Sequence, residues 1–107
     1  MKRLIVHWAR PASLDLLEII EFIRQDRPAA ARKMGRTILL EASRLSRHPR
    51  VGKIVPELLK QGISDYRQVL VPPYRVLYAV RKTFVEIVAV IDSRRDLEAV
   101  LFQRLIR

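Results

Sequence analysis

Two long apolar runs near the C-terminal end of the chain constrain its fold more than any other feature. They cover residues 74–80 and 84–91, and the polar residues 81–83 separate them. Two β-rich runs with a three-residue break predict a β-hairpin. Because nearly every residue in both runs is apolar, we expect two central strands that are covered on both faces of their sheet.

Arginine residues interrupt this apolar segment and are its main candidates for function. Arg75 lies inside the first run, and Arg94 and Arg95 follow the second. An unpaired guanidinium is costly to bury, so Arg75 is expected to be paired or to face a groove. Strand alternation places Tyr74 and Tyr78 together on the opposite face from Arg75. The tyrosine face is therefore predicted to be core, and Arg75 to project from a partly open face.

The remaining segments predict one more strand before these runs, one at the N-terminus, and three helices. Apolar residues recur with helical spacing after Pro11 and again after Pro28. The predicted order is β-α-α-β-β-β-α. This order indicates a single α+β domain over residues 1–107, with a helical hairpin on one face of a mainly antiparallel four-stranded sheet. The predicted ranges are a strand at 2–8, helices from 12 and from 28 to 48, a connector at 49–65, a strand at 66–71 and a C-terminal helix from 96.

The charge balance points to an anionic partner. The chain has 21 Lys and Arg residues against 11 Asp and Glu, a formal net charge of +10 and a pI near 11.1. Such a protein is expected to bind a polyanion or an acidic protein, although the charge could simply keep it in solution. The absence of cysteine excludes disulfides and thiolate metal sites. With no signal peptide or membrane-length apolar run in view, we expect a cytoplasmic protein.

The other titratable residues give little sign of catalysis or metal binding. Asp15, Glu18 and Glu21 are spaced for one side of the first helix and are interpreted as a solvated face. His7 and His48 are far apart in sequence, and His48 is interpreted as a helix-terminal residue. No metal site and no cofactor are expected.

A basic hollow on the sheet is the predicted binding site. Its candidate residues are Arg67, Arg75, Arg94 and Arg95. Whether Arg67 lies beside Arg75 depends on a strand register that the sequence does not fix. The competing interpretation is a structural ion pair between Arg75 and Glu86 or Asp92 on the adjacent strand.

Several short motifs occur in a fixed order along the chain. An N-terminal strand ends in Trp8, and the first helix contributes Ala12, Asp15, Leu16, Ile19, Phe22 and Ile23. They are followed by Pro49-x-x-Gly52, Pro56-Glu57-Leu58, Tyr66-Arg67, Tyr74-Arg75-Val76-Leu77-Tyr78 and Arg94-Arg95-Asp96. This ordered set resembles the RelE/ParE superfamily of toxins from bacterial type II toxin–antitoxin modules. The resemblance covers essentially the whole chain, whereas none of the motifs is specific alone.

The RelE-like branch of the superfamily implies metal-independent cleavage of mRNA on the ribosome. Under this resemblance Arg75 and Arg95 match the family's charge-stabilising arginines, while Leu101 occupies the position of a terminal aromatic acid or base. Arginine hardly deprotonates, so the proton-transfer half of an RNase site is missing. Lys53, Lys60 or Glu57 in the connector could supply it. We therefore lean against an enzyme and assign no catalytic residue.

The ParE-like branch resembles the chain better and implies inhibition of DNA gyrase through stabilisation of its DNA cleavage complex. The resemblance also implies an acidic antitoxin of the ParD or RelB kind, with a toxin–antitoxin heterotetramer as one assembly. Its carboxylates are expected to contact Arg67, Arg75, Arg94 and Arg95, while Leu97 and Leu101 line an apolar groove. The alternatives are the RelE-like mRNA endonuclease, with the ribosome as target, and a non-catalytic basic module that binds nucleic acid.

Overall fold

The computed structural model describes residues 3–105 of the chain, which form a two-layer α+β domain with a fourth helix on the far side of the sheet. The strand order across the sheet is β1-β5-β4-β3-β2. The elements are β1 (Ile5–Trp8), α1 (Arg10–Arg24), α2 (Pro28–Arg44), β2 (Lys53–Ile54), α3 (Pro56–Leu59), β3 (Tyr66–Val71), β4 (Tyr74–Val80), β5 (Phe84–Asp92) and α4 (Leu97–Leu105).

The predicted meander of β3, β4 and β5 is confirmed, but the sheet has five strands instead of four. The extra strand, β2, is a two-residue segment of the connector that pairs with β3 through Lys53 and Ile54. Two residues are too few for a periodicity to be read from sequence. β1 pairs in parallel with β5, and all the other strand pairs are antiparallel. β4 and β5 are therefore inner strands, as their continuous apolar sequences predict.

A β-bulge in the central pair adjusts which residues of β5 face the helices. Leu77 lies opposite Ala89, whereas its neighbour Tyr78 lies opposite Ile87, which leaves Val88 as the extra residue. The bulge reverses the alternation of side chains beyond it. As a result Ile87 and Val90, three residues apart, both pack in the core beneath α1 and α2.

The helical hairpin packs closely because a glycine stands where α2 crosses α1. A Cβ atom added at Gly35 would lie 2.9 Å from Cδ1 of Ile20. This close approach explains why α2 contains a residue that weakens a helix by about 1 kcal/mol relative to alanine. Ala12, Ile38 and other small or branched residues fill the space between this hairpin and the sheet.

The opposite face of the sheet carries a smaller core beneath α3 and α4. Leu97 and Leu101 of α4 pack there against Leu77 and Ile91 of the central strands. Asp96 accepts the amide hydrogen bond of Ala99 at 3.2 Å and so caps the N-terminal end of α4. Within residues 3–105 no helix combines the length and the apolarity that crossing a membrane requires.

Candidate functional site

Arg75 lies on the predicted face, but a neighbouring helix closes over it. Its guanidinium donates two hydrogen bonds to the Glu57 carboxylate of α3, at 3.0 and 2.8 Å. A third bond, at 3.1 Å, goes to Oε1 of Gln68 on β3. The Arg75 side chain is only 15% exposed, so it is an ion-pair partner and does not line an open hollow.

The partner of Arg75 differs from both candidates that the sequence suggested. Asp92 pairs with Arg94, and Glu86 pairs with Arg81. Hydrogen bonds from Arg75 lower the pKa of Glu57, which keeps that carboxylate ionised at neutral pH. The Arg75–Glu57 ion pair is therefore a fixed part of this sheet face, because each charged group provides the hydrogen-bonding partner of the other.

Arg67 lies on the other face of the sheet, so the predicted four-arginine hollow does not form. Arg67 lies opposite Tyr78 in the sheet, and cross-strand partners point to the same side. Its Nη1 donates to the Gly52 carbonyl at 2.7 Å and is 3.4 Å from that of Arg50. The β3–β4 register, which the sequence could not fix, decides this separation.

Arg94 and Arg95 stay on the surface in the turn between β5 and α4. Arg94 binds its neighbour Asp92 through Nε at 2.9 Å, yet its side chain remains 79% exposed. Hydrogen bonds from Arg94 lower the pKa of Asp92 to about 2. Both arginines line a cleft of about 340 Å³ that also contains Tyr74, the exposed ring of Phe22 and the carboxylates of Asp15, Glu18 and Asp92. These two are the predicted site arginines that remain available to a partner.

The apolar candidates of α4 are core residues. Leu97 is 3% exposed and Leu101 1% exposed, because both pack on the sheet. Between α3 and α4 lies a groove of about 400 Å³, to which Leu101 contributes a wall. Phe102, which is 65% exposed, lies beside it and offers a partner much more apolar surface.

Asp15 is not on a solvated face, contrary to the interpretation from sequence. Its Oδ2 accepts the amide hydrogen bond of Val90 at 3.0 Å and a bond from Arg104 at 2.7 Å. The Asp15 side chain is only 13% exposed. β1 ends opposite Ile87, so Val90 lies on a part of β5 that no outer strand covers. Asp15 thus accepts the Val90 hydrogen bond that a neighbouring strand would otherwise accept, and its bond with Arg104 links α4 to α1.

Proton-transfer groups are scarce around Arg75. Tyr66 is on the same face of the sheet, but its register partner Ala79 is four residues from Arg75, or about 13 Å along the strand. His7 is in β1, where its ring meets the edge of Phe84. Of the connector candidates, Lys60 lies near enough to Glu57 for its charge to contribute to the lowered pKa of that carboxyl.

Sequence reasoning named Glu57 only as a possible acid or base and missed it as the partner of Arg75. The signal available was indirect, because a half-buried arginine requires an acceptor within reach. The connector carries weak periodicity, so the sequence does not place α3 over β4.

Comparisons with known proteins agree with this architecture. A family model described as the ParE toxin of the type II toxin–antitoxin system, parDE, matches residues 6–97. The Toxin RelE2 of Caulobacter vibrioides is 31% identical over 90 residues, which cover 84% of this chain and 96% of that protein.

Two solved structures share the fold at low sequence identity. A chain of the chromosomal ParDE TA system from P. aeruginosa has a TM-score of 0.70 at 18% identity, covering 84% of this chain and 96% of its own. The YoeB dimer from Staphylococcus aureus gives a TM-score of 0.53 at 21% identity, with 81% and 93% covered. The family match and the identity to the RelE2 toxin carry the assignment: the chain belongs to the ParE toxin family, within the RelE/ParE superfamily, and is a toxin of a type II toxin–antitoxin system, which implies an antitoxin as its partner.

Proposed function

We propose that this toxin acts in the cytoplasm on DNA gyrase and stabilises the gyrase–DNA cleavage complex. The observation that carries the proposal is the closed Arg75–Glu57 pair, in which the cation and the carboxylate are hydrogen-bonded to each other. A toxin that works by binding needs surface charge and no proton relay. Inhibition then follows from a higher affinity for one state of the target than for the others.

One observation favours the alternative of an mRNA endonuclease. RNA cleavage through the 2′-hydroxyl requires a base and a cation close together, and Glu57 and Arg75 are 2.8 Å apart. However, Arg75 lowers the pKa of Glu57, which makes it a weaker base. The leaving oxygen would also need an acid, and Lys60, whose charge contributes to the lowered pKa of Glu57, is the connector residue that could supply one.

Purified toxin should be tested in parallel on gyrase and on ribosomes. We expect loss of supercoiling with accumulation of cleaved DNA, and intact mRNA in the ribosome assay. The variant Glu57→Gln keeps the shape of the side chain and removes its basicity. Gyrase inhibition by this variant should match that of the wild type, whereas RNA cleavage that Glu57→Gln abolishes would establish the endonuclease instead.

We also propose that the antitoxin is acidic and binds the cleft beside Arg94 and Arg95. Both guanidinium groups are exposed, and the apolar ring of Phe22 lies in the same cleft. Leu97 and Leu101 support this surface by fixing α4 and have little area of their own to offer. Arg67 and Arg75 remain candidate contacts only if the antitoxin breaks their present hydrogen bonds.

Antitoxin binding can be tested by charge removal in this cleft. Arg94→Ala with Arg95→Ala should weaken binding about tenfold or more and reduce its dependence on salt. The control is Arg24→Ala with Arg32→Ala, which removes two exposed charges from the helices. Equal losses in both double variants would mean that the antitoxin responds to net charge and not to this cleft.

A further inference from the structure

A basic part of the surface lies away from the predicted binding site, where the end of α2 meets the start of β1. A cleft of about 540 Å³ opens there. We call it the basic cleft, and its lining residues are Arg3, Ser43, Arg44, Ser46, Arg47 and His48. Neither the predicted binding site nor the proposed function uses any of them.

Backbone contacts hold the two sides of the basic cleft in place. The amide of Leu4 donates to the Ser46 carbonyl at 3.0 Å, and the Ser46 hydroxyl donates to the Leu4 carbonyl at 2.7 Å. The amide of His48 donates to the Arg44 carbonyl at 3.1 Å, which continues the helical turn. One fixed turn thus carries Arg44, Arg47 and His48, and the segment before β1 places Arg3 on the opposite side of the basic cleft.

Carboxylates are scarce in this region, although one arginine of the lining has an acidic partner. The sequence has no Asp or Glu between Glu41 and Glu57, while Arg44, Arg47, Arg50 and other cationic residues lie in that interval. Glu41 is 3.2 Å from Arg44, but that pair is exposed and water screens it. In residues 3–105 no acidic side chain pairs with Arg47. The cleft therefore attracts anions despite the negative end of the α2 dipole.

The lining favours a nucleic acid over an acidic protein. None of the lining side chains is aliphatic, and no Phe, Tyr or Trp is among them. A peptide that becomes ordered on binding needs buried apolar anchors to offset its entropy loss. A double helix is already ordered and carries one charge per roughly 1.7 Å of its axis. An unpaired strand would need aromatic rings for its bases to stack on, so the lining favours a duplex.

We propose that the basic cleft binds the phosphodiester backbone of duplex DNA. The guanidinium groups of Arg44 and Arg47 suit paired phosphate oxygens, because each presents a planar fork of N–H donors. The Ser43 and Ser46 hydroxyls already donate to main-chain carbonyls, so the arginines carry the binding. Contacts of this kind read no bases and are independent of sequence. The choice of DNA over duplex RNA rests on the proposed function, since gyrase acts on DNA.

The test is binding of a short fluorescent DNA duplex to the isolated toxin, followed by anisotropy without gyrase. Four phosphate contacts would lower the affinity about tenfold for each doubling of salt. Arg44→Ala with Arg47→Ala should reduce the affinity by about tenfold or more and the salt slope by about 2. All these side chains are exposed, so the fold is expected to survive.

The matched control is again Arg24→Ala with Arg32→Ala, which lowers the net charge by the same amount. The inference fails if the control loses as much affinity, if the wild type does not bind, or if single-stranded DNA binds more tightly. Equal or tighter binding of duplex RNA would overturn the assignment to DNA. Gyrase inhibition without DNA binding would refute this inference alone, whereas DNA binding without gyrase inhibition would refute only the proposed target.

Discussion

The two faces of the sheet are built differently. Beneath α1 and α2 the core is continuous and apolar, with Ile38, Val76 and Tyr78 fully buried. Beneath α3 and α4 a smaller apolar core is flanked by ion pairs. Arg75 pairs with Glu57, and Arg104 with Asp15. The second face thus relies on directional contacts where the first relies on burial.

The two faces therefore differ in what they contribute to the stability of the fold and to the binding of a partner. The free energy gained by burying apolar surface is roughly proportional to the buried area and does not depend on orientation. A large apolar core therefore stabilises the fold without specifying a partner. Ion pairs that are partly exposed contribute less and can exchange with the charges of a binder. The cleft proposed for the antitoxin lies on the α1 side, with Tyr74 and Val90 of the larger core in its lining, whereas the groove with Phe102 adjoins the smaller core. The elements that pack on it should open at lower free energy than the helical hairpin.

The largest expected effect is on the helical face. Ile38→Ala removes a fully buried side chain and should destabilise the protein by about 2 to 5 kcal/mol, because a cavity remains. Urea unfolding measures the loss. Leu40→Ala on the same helix removes a side chain that is 54% exposed and should change stability by less than about 0.5 kcal/mol. Similar losses in the two variants would contradict the contrast in burial.

A comparable deletion in the smaller core should have a smaller and more local effect. Leu101→Ala is expected to cost about 2 kcal/mol and to raise hydrogen exchange mainly in α4. Phe102→Ala, at a residue that is 65% exposed, is its control and should leave exchange unchanged. If hydrogen exchange in the Leu101→Ala variant rose equally in α2, the two faces would unfold as one cooperative unit. The proposed difference in their stability would then be wrong.

The hydrogen bonds of Asp15, which link α1 to β5 and α4, should contribute less to stability than either core. Asp15→Ala removes the acceptor of the Val90 amide and of Arg104, at a cost of about 1 to 2 kcal/mol. Exchange of the Val90 amide should rise together with exchange in α4. Glu21→Ala breaks an exposed pair with Arg24 and should be nearly neutral. Unchanged Val90 exchange in the Asp15 variant would show that Asp15 does not cap this edge.

The smallest expected effect is the pH dependence of the Glu57–Arg75 pair. Arg75 lowers the pKa of Glu57 from 4.5, so the stabilisation is present above that value and is lost as the pH falls through the lowered pKa. Between about pH 5 and about pH 3, the urea midpoint should fall more steeply for wild type than for Glu57→Gln. Glu21→Gln, at a fully exposed pair, should behave as wild type does, and a parallel fall in all three proteins would rule out this contribution.

Much of the fold could be predicted from sequence because the hydrophobic pattern is a local property. The strands at 66–71 and 74–80 have the predicted bounds, and the hairpin helices differ from prediction by a few residues at their ends. The core role of Tyr78 follows from the alternation along β4 in the same way.

The candidate site was harder to predict because it depends on distant partners. Arg75 was recognised from its cost of burial, but Arg67 and Arg75 fall on opposite faces, and of the four candidate arginines Arg94 and Arg95 remain exposed. Nothing local indicates that Glu57 would cover Arg75. The basic cleft was not predicted, since its two sides come from segments about 40 residues apart.

The sequence by itself determined the longer helices and strands, the central strands covered on both faces and the excess of positive charge, because periodicity is a local property and composition needs no structure. The tertiary structure decided which charges meet. Strand register sends a side chain to one face or the other, and the path of the connector brings Glu57 to Arg75. Charge pairing depends on distances of a few ångströms between remote segments, and only the packed chain fixes those distances.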